Sequence, residues 1–273
     1  MPASVPDPAA DSGRLAGRID GPVAVIGDVH GQLDLLDRLI ERLAGCGDFD
    51  DRWIVLLGDL VDRGPNPRGV IQRVMELTAT HPRTTVACGN HDLAMAGSLG
   101  LVPVPEEADW PRRWRRGYQC ETTFASYGVA AGDFAGLARA VPDDHARLLA
   151  GLPWVVEHPE LIVVHAGLVP ELPTETQLQM LRHRDFSLHR PPWLCRKDLG
   201  ANVFPADCRV PIVSGHVAQK RPHVGSRRIL LDTTGGVGGE LTALLLPEHQ
   251  LVTSYRDARP VRQSWWPFGR RAA

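Results

Sequence analysis

The sequence lacks the features that direct a chain into a membrane or onto nucleic acid. None of its apolar runs approaches the roughly 20 residues needed to cross a bilayer, and the first twenty residues contain no apolar stretch typical of a signal peptide. Thirty basic residues against 32 acidic residues give a net charge of -2, so no overall field attracts nucleic acid or anionic lipid. We therefore expect neither a membrane nor a nucleic acid as partner.

Cysteine is scarce and is not arranged in pairs. The five cysteines are an odd number, are widely spaced and form no Cys-x-x-Cys motif. This pattern does not suit a disulfide framework, and it predicts a protein of the reducing cytoplasm. The cysteines are Cys46, Cys88, Cys120, Cys195 and Cys208.

What the sequence does contain is five short polar clusters. They are rich in Asp, His and Asn, whose oxygen and nitrogen atoms suit divalent first-row metals, and they contain no thiolate. This composition favours a hydrolytic two-metal site over a structural zinc site. The clusters are Gly27-Asp28-Val29-His30-Gly31, Gly58-Asp59-Leu60-Val61-Asp62-Arg63-Gly64, Gly89-Asn90-His91-Asp92, His165-Ala166-Gly167 and Ser214-Gly215-His216.

The first four clusters each follow an apolar run that reads as a short buried strand. Apolar residues at helical spacing follow the first two clusters, and this β-α-β-α-β order predicts a parallel sheet covered by helices. From about residue 154 short apolar runs dominate, which predicts a second, mixed or antiparallel sheet. Because the carboxyl ends of strands in open α/β sheets converge on one crevice, the clusters should meet there.

Taken in order, the five clusters resemble the calcineurin-like metallophosphoesterases, and within them the phosphoprotein phosphatase family of serine/threonine phosphatases. Segments such as Trp114-Arg115-Arg116-Gly117 are similar to those of bacterial and phage members. The resemblance implies an α/β fold with two packed mixed β-sheets flanked by helices. We expect a catalytic domain at 22–258, a flexible N-terminal tail at 1–21 and a C-terminal tail at 259–273.

The resemblance also implies two divalent metal ions and a metal-bridging water as the nucleophile. Manganese is the favoured metal, with iron or zinc as alternatives. Asp59 would bridge the two ions. The implied metal ligands are Asp28, His30, Asp59, Asn90, His165 and His216.

Further roles follow from the same resemblance. His91 would protonate the leaving group, and Asp92 would hold its imidazole in the required tautomer. Asp62 is expected to be a structural partner of His91 or Arg63 and not a metal ligand. Arg63 and Asn90 would bind phosphate. Arg184 best fits the second phosphate-binding arginine in the family's Trp-Ile-Arg-Asp/Glu pattern, although no Trp precedes it, and Arg182 is the alternative.

The segment 99–121 interrupts the alternation of strands and helices. It combines three prolines with four arginines around Trp110 and Trp114, and it reads as a long loop over the active-site face. One interpretation is a solvated arginine face anchored by the two tryptophans. The other is a lid that faces the substrate.

Three functions are compatible with these residues. The leading hypothesis is a phosphomonoesterase, namely a serine/threonine or dual-specificity protein phosphatase acting on phosphoprotein or small phosphoester substrates. The second is a hydrolase of symmetrical dinucleoside polyphosphates such as diadenosine tetraphosphate, or of nucleotide caps. The third is a non-catalytic phosphoprotein-binding protein, which would be expected to have lost a ligand. Asp62, before Arg63, favours the first, and the oligomeric state is left open.

Overall fold

A computed structural model describes residues 15–200, 203–256 and 259–260. The amino-terminal half has the predicted alternation of strands and helices. The first helix buries one leucine stripe, which includes Leu36 and Leu39, and the second begins at Asn66, whose side chain accepts a hydrogen bond from Gly69 N. The elements are β1 (Val23–Ile26), α1 (Leu33–Ala44), β2 (Trp53–Leu56), α2 (Pro67–Thr80) and β3 (Thr84–Val86).

Five helices follow β3 before the next strand. One of them lies inside the segment 99–121, so that segment is partly helical and is not the open loop that its prolines and arginines suggest. Pro111 is accommodated because it stands in the first turn, where its missing N–H costs nothing. The helices are α3 (Asn90–Ser98), α4 (Trp110–Gly117), α5 (Glu121–Ser126), α6 (Phe134–Ala140) and α7 (Asp143–Gly151).

The carboxyl-terminal half is mainly strands, as expected, but it also contains a ten-residue helix, α8. Its elements are β4 (Val156–His158), β5 (Leu161–Val163), α8 (Thr174–His183), α9 (Pro192–Cys195), β6 (Ile212–Ser214), β7 (His223–Val224), β8 (Arg228–Leu230), β9 (Thr242–Leu246), β10 (Gln250–Thr253) and β11 (Arg259–Pro260).

These strands form two mixed sheets, which confirms the predicted fold class. The six-stranded sheet has the order β11-β10-β9-β1-β2-β3, with β1, β2 and β3 parallel and β9 antiparallel to β1. The five-stranded sheet has the order β4-β5-β6-β8-β7, with β5, β6 and β8 parallel. The parallel strands β1, β2, β3, β5 and β6 lead into the five polar clusters.

The core is divided between the inter-sheet space and the helix layers. Along β1, Val23 and Val25 pack against residues of the second sheet such as Val213, whereas Ala24 and Ile26 pack on the helix side. Strand residues point alternately to the two faces, so a strand buried on both faces is apolar throughout. Each fully buried aliphatic side chain of this kind stabilises the fold by about 1.5–3 kcal/mol.

The predicted tails are only partly outside the folded body. Residues 15–20 pack on the second sheet, where Ile19 is buried and its N–H donates to Glu157 O over 2.9 Å. The predicted boundary at residue 22 is therefore too late, because this backbone pairs alongside β4. At the other end, β11 pairs with β10. The remainder of the predicted tails, 1–14 and 261–273, lies outside the described residues.

Membrane-spanning helices and disulfide bonds can be assessed only for the described residues. Within 15–200, 203–256 and 259–260, none of the helices is long and apolar enough to cross a bilayer. The five cysteines are all free thiols, and four of them are buried.

Candidate metal centre and phosphate-binding pocket

The predicted ligands meet at one edge of the two sheets, on the loops that leave the parallel strands. Backbone hydrogen bonds tie these loops together, from His30 N to Asp59 O and from Gly215 N to His165 O. His30, Asp59 and His216 have positive φ angles of 44°, 49° and 65°. Left-handed backbone at non-glycine residues is strained, and it persists where the surrounding structure imposes it.

Asp59 is at the centre of the cluster. Its Oδ2 lies 3.3 Å from Nε2 of His30 and 3.3 Å from Nε2 of His165. Its Oδ1 accepts a hydrogen bond from His91 N over 2.9 Å. Burial alone would raise the pKa of Asp59, but the surrounding histidines, above all His165, hold it well below its usual value. The carboxylate is therefore placed between two groups of potential ligands.

Asn90 and His216 complete the side of the cluster nearest His165. Asn90 Oδ1 lies 2.7 Å from Nδ1 of His216 and 3.0 Å from Nε2 of His165. Asp28 reaches the same region, because its Oδ2 accepts a hydrogen bond from His216 N over 2.8 Å. The five other predicted metal ligands thus lie around Asp59.

The donor atoms fit a pair of divalent cations. His30 is neutral, because burial lowers its pKa to about 3, and its Nδ1 donates to Val61 O, which leaves the Nε2 lone pair facing Asp59. Asp28 Oδ1 and His216 Nε2 are buried without a hydrogen-bond partner among the described residues. Buried polar atoms of this kind are normally satisfied, so they indicate a bound group.

The pKa of His165 also indicates that the carboxylates of this site require a nearby positive charge. Burial alone would lower its pKa, but Asp59 and Asp28 raise it to about 10. A divalent ion would neutralise the same carboxylates and would displace the proton, since metal ligation requires the neutral imidazole. The oxygen and nitrogen donors do not distinguish manganese from iron or zinc.

The predicted general acid, His91, is held by Asp62. His91 Nδ1 lies 2.7 Å from Asp62 Oδ2, and the same oxygen accepts a hydrogen bond of 2.7 Å from Trp114 Nε1. Thr123 Oγ1 donates to the other oxygen over 2.6 Å. A carboxylate that accepts three hydrogen bonds fixes the His91 proton on Nδ1 and turns Nε2 toward the site.

Asp92 does not orient His91, so the predicted role for it is replaced. Its Oδ1 accepts from Leu60 N over 2.8 Å, and its Oδ2 accepts from Gly89 N over 3.0 Å. Because Asp92 lies in the first turn of α3, its side chain folds back over the start of the helix. It therefore stabilises the loops that carry Asp59 and Asn90.

Arg63 lines the cavity beside His30 and His91. One guanidinium nitrogen is 3.0 Å from His30 Nε2, and another is 3.1 Å from His91 Nε2. The first also donates to Gly235 O over 3.2 Å. A planar guanidinium can bind two phosphate oxygens at once, and the role of Arg63 in binding phosphate stays a prediction.

Arg184 and Arg182 lie away from this site. Arg184 donates to Ala150 O over 2.6 Å, and Arg182 forms ion pairs with Glu157 and Glu175 on the surface. Neither lines the pocket that contains Arg63. The phosphate-binding role of Arg184, or of Arg182 as its alternative, therefore stays a prediction that the geometry of the cavity does not support.

A cavity of about 820 Å³ opens beside the metal cluster. Trp110 and Trp114 are buried anchors of α4, and arginines of the same helix line the cavity, so the lid that faces the substrate stays a prediction. Sequence reasoning did not find Arg190 and Lys197, because neither belongs to a recognisable motif. The cavity's positively charged residues are Arg63, Arg112, Arg113, Arg116, Arg190 and Lys197.

Two proteins with similar sequences are both described as nucleotide hydrolases. The asymmetrical bis(5'-nucleosyl)-tetraphosphatase PrpE of Bacillus thuringiensis (strain Al Hakam) is 26% identical over 249 residues, covering 84% of this chain and 92% of the relative. The protein of the same name from Bacillus cereus (strain AH187) has the same identity and coverage.

Solved structures and a family model agree with the fold. A protein provisionally described as a diadenosine tetraphosphatase superposes with a TM-score of 0.58 and 22% identity, over 88% of this chain and 97% of that one. A cold-active protein-tyrosine phosphatase of a psychrophilic Shewanella species gives a TM-score of 0.60 and 17% identity, over 90% of this chain and 82% of that one. The calcineurin-like phosphoesterase model matches residues 21–220, so the chain belongs to this family and is a phosphoester hydrolase.

Proposed function

We propose that this phosphoesterase hydrolyses dinucleoside polyphosphates, with diadenosine tetraphosphate as the representative substrate. The observation that carries the proposal is the cavity beside the metal cluster, where five positively charged residues accompany Arg63. A single phosphomonoester needs few of these charges, whereas a chain of four phosphates offers an oxygen-rich partner to all of them. The descriptions of the two PrpE relatives support the same choice, which the sequence alone ranked second.

The residues around Asp59 would hold two divalent ions, with manganese as the proposed metal. When bound, these ions supply activation of the attacking water and neutralisation of phosphate charge. Arg63 would bind oxygens of the phosphoryl group under attack. His91 Nε2 would carry the proton to the departing oxygen, while Asp62 keeps Nδ1 protonated and stabilises the imidazolium.

A phosphomonoesterase acting on phosphoproteins is the second candidate. The observation that favours it is Asp62, because members of the phosphoprotein phosphatase family, which this chain resembles, typically carry Asp before the arginine that corresponds to Arg63. In this chain Asp62 is buried and accepts three side-chain hydrogen bonds. Such a residue serves a leaving-group acid in either reaction, so substrate comparison has to decide.

The deciding experiment compares kcat/KM for diadenosine tetraphosphate and for a phosphothreonine peptide under manganese. We expect the dinucleotide to exceed the peptide by more than about tenfold, equivalent to roughly 1.4 kcal/mol of differential transition-state binding. Asp59→Asn, purified in parallel, controls for contaminating hydrolases. A peptide preferred by the same margin would replace the proposal with the second candidate.

Product analysis then identifies the bond that is cleaved. Asymmetrical cleavage of diadenosine tetraphosphate gives AMP and ATP, whereas symmetrical cleavage gives two ADP. We propose asymmetrical cleavage on the likeness to PrpE, although the sequence-based alternative was the symmetrical reaction. Separation of the nucleotides during the first few per cent of turnover distinguishes the two outcomes before secondary hydrolysis.

A further inference from the structure

Three cations line the cavity on the side of α4 and the segment 189–197. We call Arg113, Arg190 and Lys197 the distal cation cluster. They come from separate parts of the chain, namely α4, the residue before Pro191, and the 3-10 helix Lys197–Gly200. Arg190 and Lys197 are exposed, and Arg113 is half-buried. None of them belongs to the polar clusters that make up the metal site, and none has a role in that site.

The distal cation cluster is attached to the metal-binding loops by backbone contacts. Arg113 donates to His189 O over 2.7 Å, and Arg190 donates to Cys195 O over 3.0 Å. Between them, Trp193 O accepts a hydrogen bond of 2.8 Å from Ala166 N, the residue after His165. The guanidinium groups are thus held in place relative to the metal site, so less entropy is lost when they bind an anion.

Lys197 lines the same cavity as His91 and His216. Its ammonium group is therefore on the wall of the pocket into which these two histidines open. A phosphate chain that runs from Arg63 past His91 would approach it.

This cluster shares the cavity with the carboxylates of Glu107, Asp109 and Asp232. In the described part of the chain, however, none of its three members has a carboxylate oxygen within 4.0 Å of its side-chain nitrogens. The neighbouring arginines differ, since Arg115 lies 3.8 Å from Glu121 and Arg112 lies 3.8 Å from Asp109. Three unpaired cations in a concave site favour a ligand with several negative charges.

We propose that the distal cation cluster binds the phosphates beyond the one held by Arg63. It would thereby position the polyphosphate part of the substrate, so that the departing oxygen lies beside His91. This inference rests on the proposed function for the identity of the substrate. The binding site itself can be tested without dinucleotide hydrolysis, because inorganic tripolyphosphate carries the same linked phosphates.

The test measures binding of tripolyphosphate and of orthophosphate to chelator-treated protein by calorimetry. The variants are Arg190→Ala, Lys197→Ala and the double variant. Arg115→Ala is the matched control, since Arg115 is on the same helix as Arg113 but pairs with Glu121 and does not line the cavity. Circular dichroism and thermal unfolding verify that each variant is folded.

We expect each single substitution to weaken tripolyphosphate binding by about tenfold or more, the range for one charge-assisted hydrogen bond. Orthophosphate binding and the control variant should change by less than about threefold, and wild-type binding of tripolyphosphate should weaken steeply with salt. Equal losses for both anions, or a loss as large in Arg115→Ala, would overturn the inference. If the cluster binds tripolyphosphate but the protein prefers phosphopeptides, the inference stands and the proposed function fails.

Discussion

Oδ2 of Asp62 lies 2.7 Å from Nδ1 of His91, and this contact defines which histidine nitrogen faces the substrate. The carboxylate is fully buried, and burial raises its pKa to about 7 against the opposing hydrogen bonds from Thr123 and Trp114. The protonation of His91 therefore depends on side chains that come from α4 and α5. Five predictions follow from this site and its surroundings.

Removal of metal should abolish hydrolysis. Asp59 and the five other predicted ligands supply the oxygen and nitrogen donors of one cluster, and a metal-bound water is the proposed nucleophile. Dialysis against a chelator should reduce p-nitrophenyl phosphate hydrolysis to background, and added manganese should restore it. Full activity in protein shown by elemental analysis to be free of metal would contradict the two-metal site.

Substitution of His91 should separate chemistry from metal binding. His91→Asn should leave metal content nearly unchanged and lower kcat by roughly two to four orders of magnitude, the range for a general acid. The loss should be larger for substrates with poor leaving groups, because they need the proton most. Equal losses for an activated aryl phosphate and for diadenosine tetraphosphate would show that His91 does not protonate the leaving group.

Asp62 and Asp92 should differ in the property that they support. Asp62→Asn removes the negative charge that stabilises the imidazolium of His91, so we expect kcat to fall by about 100-fold or more, in addition to a loss of unfolding free energy of about 1–3 kcal/mol from the weakened hydrogen bonds. Asp92→Asn weakens acceptance from the Leu60 and Gly89 N–H groups, which should cost about 1–3 kcal/mol of unfolding free energy. Urea denaturation and kcat per bound metal measure the two effects, and the reverse pattern would return the orienting role to Asp92.

Substitution of Arg63 should affect catalysis, whereas substitution of Arg184 should affect stability. Arg63→Ala removes the guanidinium next to His30 and His91, and we expect kcat/KM to fall by about 100-fold. Arg184→Ala removes a hydrogen bond to Ala150 O outside the cavity, so it should lower the melting temperature without a comparable change in kcat/KM. If Arg184→Ala weakens substrate and orthophosphate binding as strongly as Arg63→Ala, the sequence-based assignment was correct.

The metal ligands could be predicted because each follows a strand whose apolar pattern is local in the sequence. Partners brought together by tertiary contacts are predicted less well. The sequence indicates Asp62 as a partner of His91 or Arg63, but it assigns the tautomer to Asp92, which is adjacent to His91 in the chain and folds back over the start of α3. Likewise, α4 reads as a loop because Pro111 and four arginines dominate it, although Trp110 and Trp114, four residues apart, anchor the helix in the core. Arg190 has no motif of its own and joins the cavity only in the folded chain.

Trp114 should tune the acid side of the pH profile. Its Nε1 donates to Asp62 Oδ2, and its ring packs against Phe124 and Phe134 at centroid distances of 5.4 and 6.1 Å. Trp114→Phe keeps an aromatic ring but removes the donor, so the ionised form of Asp62 loses a hydrogen bond and the pKa of this carboxyl rises further.

The reaction needs Asp62 ionised, and a higher pKa therefore makes activity disappear at a higher pH as the solution is acidified. We expect the acidic limb of the kcat profile to move upward by about one pH unit, with roughly tenfold lower kcat below it and near wild-type kcat at alkaline pH. Trp110→Phe is the control, because Trp110 is an equally buried anchor of α4 that makes no hydrogen bond to Asp62. A uniform loss at every pH, or the same shift in the control, would mean that Trp114 acts only through packing.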